Sequence, residues 1–336
     1  INGGTYTNTS TDKNDKGGTN QVETIINRGS LTVTDGTIEA TTNEVYGVGI
    51  YIQPTKDDDR TVSCTIEGGT IKSNCYGVAI FGRGIDENGK YNNDGVTLEM
   101  TDGEIVIEGD NGGQGIATNA SNGIYAGFTI DLSGNAKITA NVDDGCAMYL
   151  PGPGVTNISN DVEIFGKLQG IRIAAGKLNI EGGTIQNSNN RVDNADLVSG
   201  GSGGTAGAVV VGKASGGYPD DIIINVTGGK IENVADGDNN DAIVVSDKNM
   251  ADTDEEGKLN YAEFKIEVNV SNGADVTGNV YTVSNLTSDA TEDGGNVSVK
   301  LEDVTIEGDI ENASKSPVTA NDVTVTGNVT AENEDE

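Results

Sequence analysis

The sequence predicts an all-β solenoid, a stack of coils that each hold three short strands. Three observations carry this: a recurring heptapeptide, an alternation of period two within it, and glycine at its corner. The heptapeptide is Thr65-Ile66-Glu67-Gly68-Gly69-Thr70-Ile71, and altered copies end at Ile38, Ile105, Ile185, Ile231 and Ile306. Self-similarity at intervals of roughly 20 to 45 residues marks a stacked repeat architecture.

One coil shows the logic. Val62, Cys64 and Ile66 alternate with Ser63, Thr65 and Glu67, so one face of an extended strand is apolar. Gly68-Gly69 turns the chain at low steric cost. Thr70-Ile71 opens a second strand, and a third, Gly77-Val78-Ala79-Ile80, points Val78 and Ile80 inward. Backbone groups of such strands find partners only in the same strand of the next coil. That pairing is parallel, with right-handed crossovers.

Coils are expected to begin near Leu31, Val62, Val96, Phe128, Val155, Lys177, Ile222, Phe264, Val297 and Asp322. The expectation is a single domain over 1–336, a right-handed parallel β-helix of about ten coils. The chain opens at Ile1-Asn2-Gly3-Gly4-Thr5-Tyr6, which aligns with the middle of the repeat, and ends on a further partial copy. Both ends read as cut from a longer polypeptide.

The pattern resembles the right-handed parallel β-helix of pectate-lyase-like and bacterial surface, adhesin-like proteins. The resemblance covers essentially the whole chain. It implies an extracellular or cell-surface location and a polysaccharide or a host or cell-surface protein as partner.

Composition narrows the partners. The 336 residues carry 53 Asp plus Glu against 20 Lys plus Arg, a net charge of -33. Such a surface repels nucleic acids, anionic membranes and, unless cations bridge them, acidic polysaccharides, and it suits multivalent cations. No apolar run is long enough for a membrane span. With 0 Trp and 4 Phe, the core must be filled by Ile, Val and Leu. Cys64 and Cys146 fall at inward strand positions as small hydrophobes, and the odd total of 3 cysteines, with Cys75, argues against a disulfide framework.

Two walls carry candidate sites. On the third-strand wall, Tyr51, Phe81, Asn119, Tyr149, Ala174, Val211 and Val245 are expected to stack outward beside Gly49, Ala79, Ala117, Ala147, Arg172, Val209 and Ile243. An outer face that apolar is either covered by loops as a satellite cluster or left open as an aromatic platform, with Tyr51, Phe81 and Tyr149 binding a ligand. On the first-strand wall the outward row reads Thr32, Thr65, Glu99, Asp131, Asn157, Asn179, Asn225, Asn269, Lys300 and Thr324. Coils about 4.8 Å apart would let its amides form a ladder and set Glu99 beside Asp131.

The segment Asp252 to Phe264 resembles an EF-hand calcium loop. Asp252, Asp254 and Glu256 occupy its first, third and fifth positions, Gly257 the turn and Glu263 the twelfth. The resemblance implies Ca²⁺ held by those four carboxylates and the Lys258 carbonyl. Glutamate at the fifth position departs from the family, and both flanks, Ala242–Val245 and Lys265–Val268, read as strands instead of helices.

The catalytic sets of polygalacturonase-like enzymes are not reproduced. With 0 His there is no Gly-His-Gly element, and Arg172-Ile173 lacks the following lysine. Lyase chemistry needs a base near its calcium ligands, and Lys177 and Lys300 lie far along the stack from Glu99 and Asp131. The favoured expectation is a non-catalytic adhesin-like stalk or binding segment. The alternative is a calcium-dependent polysaccharide lyase or glycoside hydrolase using Glu99 and Asp131.

Overall fold

The heptapeptide becomes the corner between two ladders of strands. The computed structural model describes residues 1–9, 21–41, 46–54, 60–82, 93–109, 113–119, 127–191, 204–213, 218, 220–247, 251–253, 259–261, 263–271, 273–283, 296–314 and 316–331. In Val62–Ser73 the residues Val62, Cys64, Ile66 and Ile71 are buried, while Glu67 is exposed. Gly69 makes the corner at φ +84°, where a Cβ would lie 2.7 Å from the Gly36 carbonyl oxygen of the adjacent coil. Other coils place Asn160, Asp303 and Asp322 at this corner, at φ 59°, 51° and 53°. Short polar side chains are the ones that tolerate this conformation.

Three parallel ladders result. Wall A runs through Ser30–Val33, Val62–Ser73, Val96–Ile107, Thr129–Leu132, Val155–Ile158, Gly176–Ile180, Ile222–Val226, Ile266–Val270, Val297–Glu302 and Val318–Asn321. Wall B begins with Asn2–Thr7 and Asp35–Ala40. Wall C begins with Gln21–Asn27 and Tyr46–Ile52. Among the described residues, A and B share a sheet of 19 strands and C forms one of 11. The arrangement is that of a β-helix or solenoid, with no α-helix among the described residues.

Two expectations are corrected here. Val62–Ser73 and Val96–Ile107 each cross from wall A to wall B as one bulged strand instead of two. The last wall A strand begins at Val318, so Thr319 follows Lys300 in the row and Thr324 belongs to wall B. The sequence Val323 to Val325 looked like a first strand because the corner there is Asp322 and not glycine.

Wall B drives a nearly unbroken isoleucine stack into the core: Ile38, Ile71, Ile105, Ile138, Ile164, Ile185, Ile231, Val276 and Ile306 are register partners in turn. Each is fully buried, a contribution of about 1.5 to 3 kcal/mol apiece. Wall C yields to this stack with small residues. A Cβ on Gly77 would lie 2.2 Å from Ile105 Cγ2, and one on Gly115 2.3 Å from Ile138 Cγ2. Alanine fills the same inward row at Ala147, Ala208 and Ala242.

The following residue of each wall C strand also faces inward, as Met148, Val209 and Ile243 do. Two consecutive core residues break the alternation, and the outward set shifts by one. The true outward row is therefore Tyr51, Ala79, Ala117, Tyr149, Arg172, Val210, Val244 and Tyr281. Gly49, Ala147, Val209, Val211, Ile243 and Val245, expected outside, line the interior. No helix among the described residues is long and apolar enough to cross a membrane.

Candidate functional site

The outer face of wall C divides into two halves. In the first, Tyr51 and Tyr149 are separated by Ala79 and Ala117 in the same row, three coil steps of about 4.8 Å each. Two alanines between two tyrosines leave a depression of about 170 Å³. Tyr76, Phe81, Gln21, Gln114, Thr118 and Asn119 complete its lining. Phe81 lies beyond the row of Tyr51, because its N–H bonds the Ile52 carbonyl, and its ring meets Tyr51 edge-on at 5.0 Å and 86°. The three aromatic residues singled out in the sequence are thus brought together, around a floor that sequence reading placed in a different row.

In the second half the outward row is covered. Arg172, Val210 and Val244 are at most 1% exposed, and Val210 and Val244 form a separate cluster with Tyr281 and Val283. Arg191, which follows the strand Thr184–Asn187, lays its guanidinium 3.6 Å above the Tyr281 ring. Its Nε donates to Asp241 Oδ2 at 2.7 Å and its Nη2 to Glu311 Oε2 at 2.9 Å. Burial pushes the Asp241 carboxyl up to about 7 against the pull of Arg191. This half is the satellite cluster of the two readings of the apolar wall.

Wall A presents the expected ladder. Asn269 Nδ2 donates to Asn225 Oδ1 at 3.1 Å, Asn225 to Asn179 at 3.0 Å, Asn179 to Asn157 at 2.7 Å, and Asn157 to Asp131 Oδ1 at 2.7 Å. All four amides point one way, toward the carboxylate. Glu99 is the register partner of Asp131, as its row position requires. One Asp131 oxygen accepts the last amide of the ladder.

The calcium-loop resemblance falls mostly outside the described residues, which exclude Asp254, Glu256 and Lys258. Ala251–Thr253 and Leu259–Tyr261 pair antiparallel, setting Asp252 opposite Asn260. Glu263 is exposed and lines a groove with Asp221, Lys265 and Glu267. The flanks are strands, Asp241–Ser246 and Ile266–Val270, as the sequence indicated.

The cysteines are buried free thiols, and burial raises each of Cys64, Cys75 and Cys146 to about 12. None is a nucleophile at neutral pH. Cys64 belongs to the main core; Cys146 does not, because it precedes the paired inward residues and sits on the covered outer face, its Sγ 3.2 Å from the Met148 carbonyl oxygen. Sequence reading missed Asp241, Glu311 and Arg191, since one buried acid carries no mark among 53. The chain matches no protein-family model, no curated protein and no solved structure.

Proposed function

We propose that the protein is a non-catalytic extracellular β-helix of the right-handed, pectate-lyase-like kind, an adhesin-like stalk or binding segment of a longer surface protein that takes a saccharide in the wall C depression. The carrying observation is that Tyr51, Phe81 and Tyr149 surround one hollow floored by Ala79 and Ala117. Rings of this kind offer apolar area with a polar tip, and Gln21, Gln114 and Thr118 add polar groups at the edge. The hollow is smaller than the roughly 300 Å³ of pockets for drug-sized ligands. It suits a single sugar ring, with the rest of a glycan lying along the wall.

A glycan array probed with the intact chain tests the reading. The expected result is binding to a related set of glycans that Tyr51→Ala weakens at least about tenfold, the loss of roughly one aromatic contact and its buried area. Absence of any glycan signal, or a signal indifferent to Tyr51→Ala, would overturn it.

The 252–264 segment is proposed as a Ca²⁺ site that steadies the wall C side of the stack. Calorimetric titration is expected to give about one equivalent, lost in Glu263→Gln, with a melt that a chelator lowers. No heat and an unchanged melt would remove the site.

A further inference from the structure

The floor of the hollow is apolar, and one polar group beside it has nothing to bond. Gln114 precedes Ala117 in the strand Gln114–Thr118, in an outward row where Tyr76, Gln114, Cys146 and Gln169 are register partners in turn. It lines the hollow and is 7% exposed. Its backbone N–H donates to the Cys75 carbonyl at 2.7 Å, while its carboxamide has no hydrogen-bond partner among the described residues. Neighbouring polar groups of the lining are engaged: Thr118 Oγ1 accepts from the Gly152 N–H at 3.2 Å, and the Tyr76 hydroxyl bonds Cys75. Gln169, 1% exposed under the covered half, shows the other fate of this row, with its Nε2 donating to the Thr205 carbonyl at 2.8 Å and its Oε1 sealed off. A buried amide left unpaired is costly, and one that faces a hollow is a reason to look for a ligand with both a donor and an acceptor.

We infer that Gln114 is the specificity-determining residue of this site, its carboxamide reading two adjacent hydroxyls of one uncharged sugar ring. This rests on the proposed saccharide site. A carboxamide sets an N–H donor and a carbonyl acceptor side by side, and adjacent hydroxyls, each donor and acceptor at once, satisfy both. Ala79 and Ala117 leave room for the ring, and Tyr51 and Tyr149 bound it along the stack. Every described residue that lines the hollow is neutral. Tyr76 and Tyr149 remain phenols, since burial raises both above their ordinary value. No described residue of the lining offers a cation to offset the desolvation of a carboxylate, and the net charge of -33 opposes its approach.

The test uses the intact chain with the methyl β-glycosides of glucose, galactose and mannose, then the monodeoxy forms and the uronate of whichever binds best, all measured by ligand-observed NMR. Wild type is expected to bind two deoxy forms, at neighbouring ring positions, at least about fivefold more weakly than the parent, and the others within about twofold, as single hydrogen bonds allow. The uronate is expected to bind no better than the parent. Gln114→Met keeps the shape without the amide; it is expected to bind the parent at least about fivefold more weakly, to lose its sensitivity at that pair of positions, and to melt at or above wild type. Binding that depends on Tyr51 but shows no adjacent pair of sensitive hydroxyls overturns the role of Gln114 and leaves the saccharide site, as does a pair that stays sensitive in Gln114→Met. A uronate bound more tightly than the parent overturns the uncharged class. Binding of none of the three sugars, or binding indifferent to Tyr51→Ala, overturns the saccharide site and this inference with it. The deoxy series on wild type needs no variant, so it decides the matter even where Gln114→Met does not fold.

Discussion

At Gly69 a single methyl group separates a corner from a clash. The backbone there is left-handed at φ +84°, and a Cβ would sit 2.7 Å from the Gly36 carbonyl oxygen. Gly69→Ala is expected to lower stability by at least about 1 to 2 kcal/mol from the backbone conformation alone. Gly29→Ala is the control, because nothing lies within 4 Å of its Cβ position and its φ is not left-handed. Chemical denaturation distinguishes them; equal losses would contradict this account of the corner. The corner was legible in sequence as a glycine pair. Its occupancy by Asp322 was not, and that substitution hid the start of the last wall A strand.

Strand-level order differs between walls for a physical reason. Wall A keeps a simple alternation, so nine of the ten residues of its outward row follow from the sequence, Thr319 replacing Thr324. Wall C inserts two successive inward residues to seat the isoleucine stack, and period-two reading then slips by one. Hence Tyr51, Phe81 and Tyr149 were found without their alanine floor, and Arg172 without its neighbours. The amide ladder of wall A is expected to act cooperatively along the stack. Asn179→Leu removes the bonds to Asn157 and Asn225 and should cost about 1 to 3 kcal/mol in denaturation, less for the solvent-exposed part. No measurable loss would make the ladder a surface ornament.

The same scale holds a pH response. The folded carboxyl of Asp241, at about 7, lies above its ordinary value of 3.8, so between those values the folded state binds a proton that the unfolded state does not. Its contribution is fully present below about pH 4 and is lost as pH rises through about 7. Arg191 and Asn279 donate to it from neighbouring coils, Glu311 adds a like charge nearby, and Asn239 and Tyr281 contact Arg191. Melting temperature against pH is expected to fall less steeply between pH 4 and 7 in Asp241→Asn than in wild type. Parallel profiles would contradict the placement of this carboxyl.

Across the whole molecule, one contiguous core from Val33 to Ile310 gives the stack its rigidity, and the walls are what it displays. Among the described residues, the outer face of wall C is buried from Ala117 through Val244, with the hollow between Tyr51 and Tyr149 at its other end. The proposed function puts binding at that hollow. The most direct measurement follows ring signals of the 10 tyrosines by NMR, with ¹³C-labelled tyrosine, while the saccharide selected on the array is added. The expected result is shifts at Tyr51, Tyr76 and Tyr149 and none at Tyr218 or Tyr281. Shifts confined to other tyrosines, or none under saturating saccharide, would contradict the account.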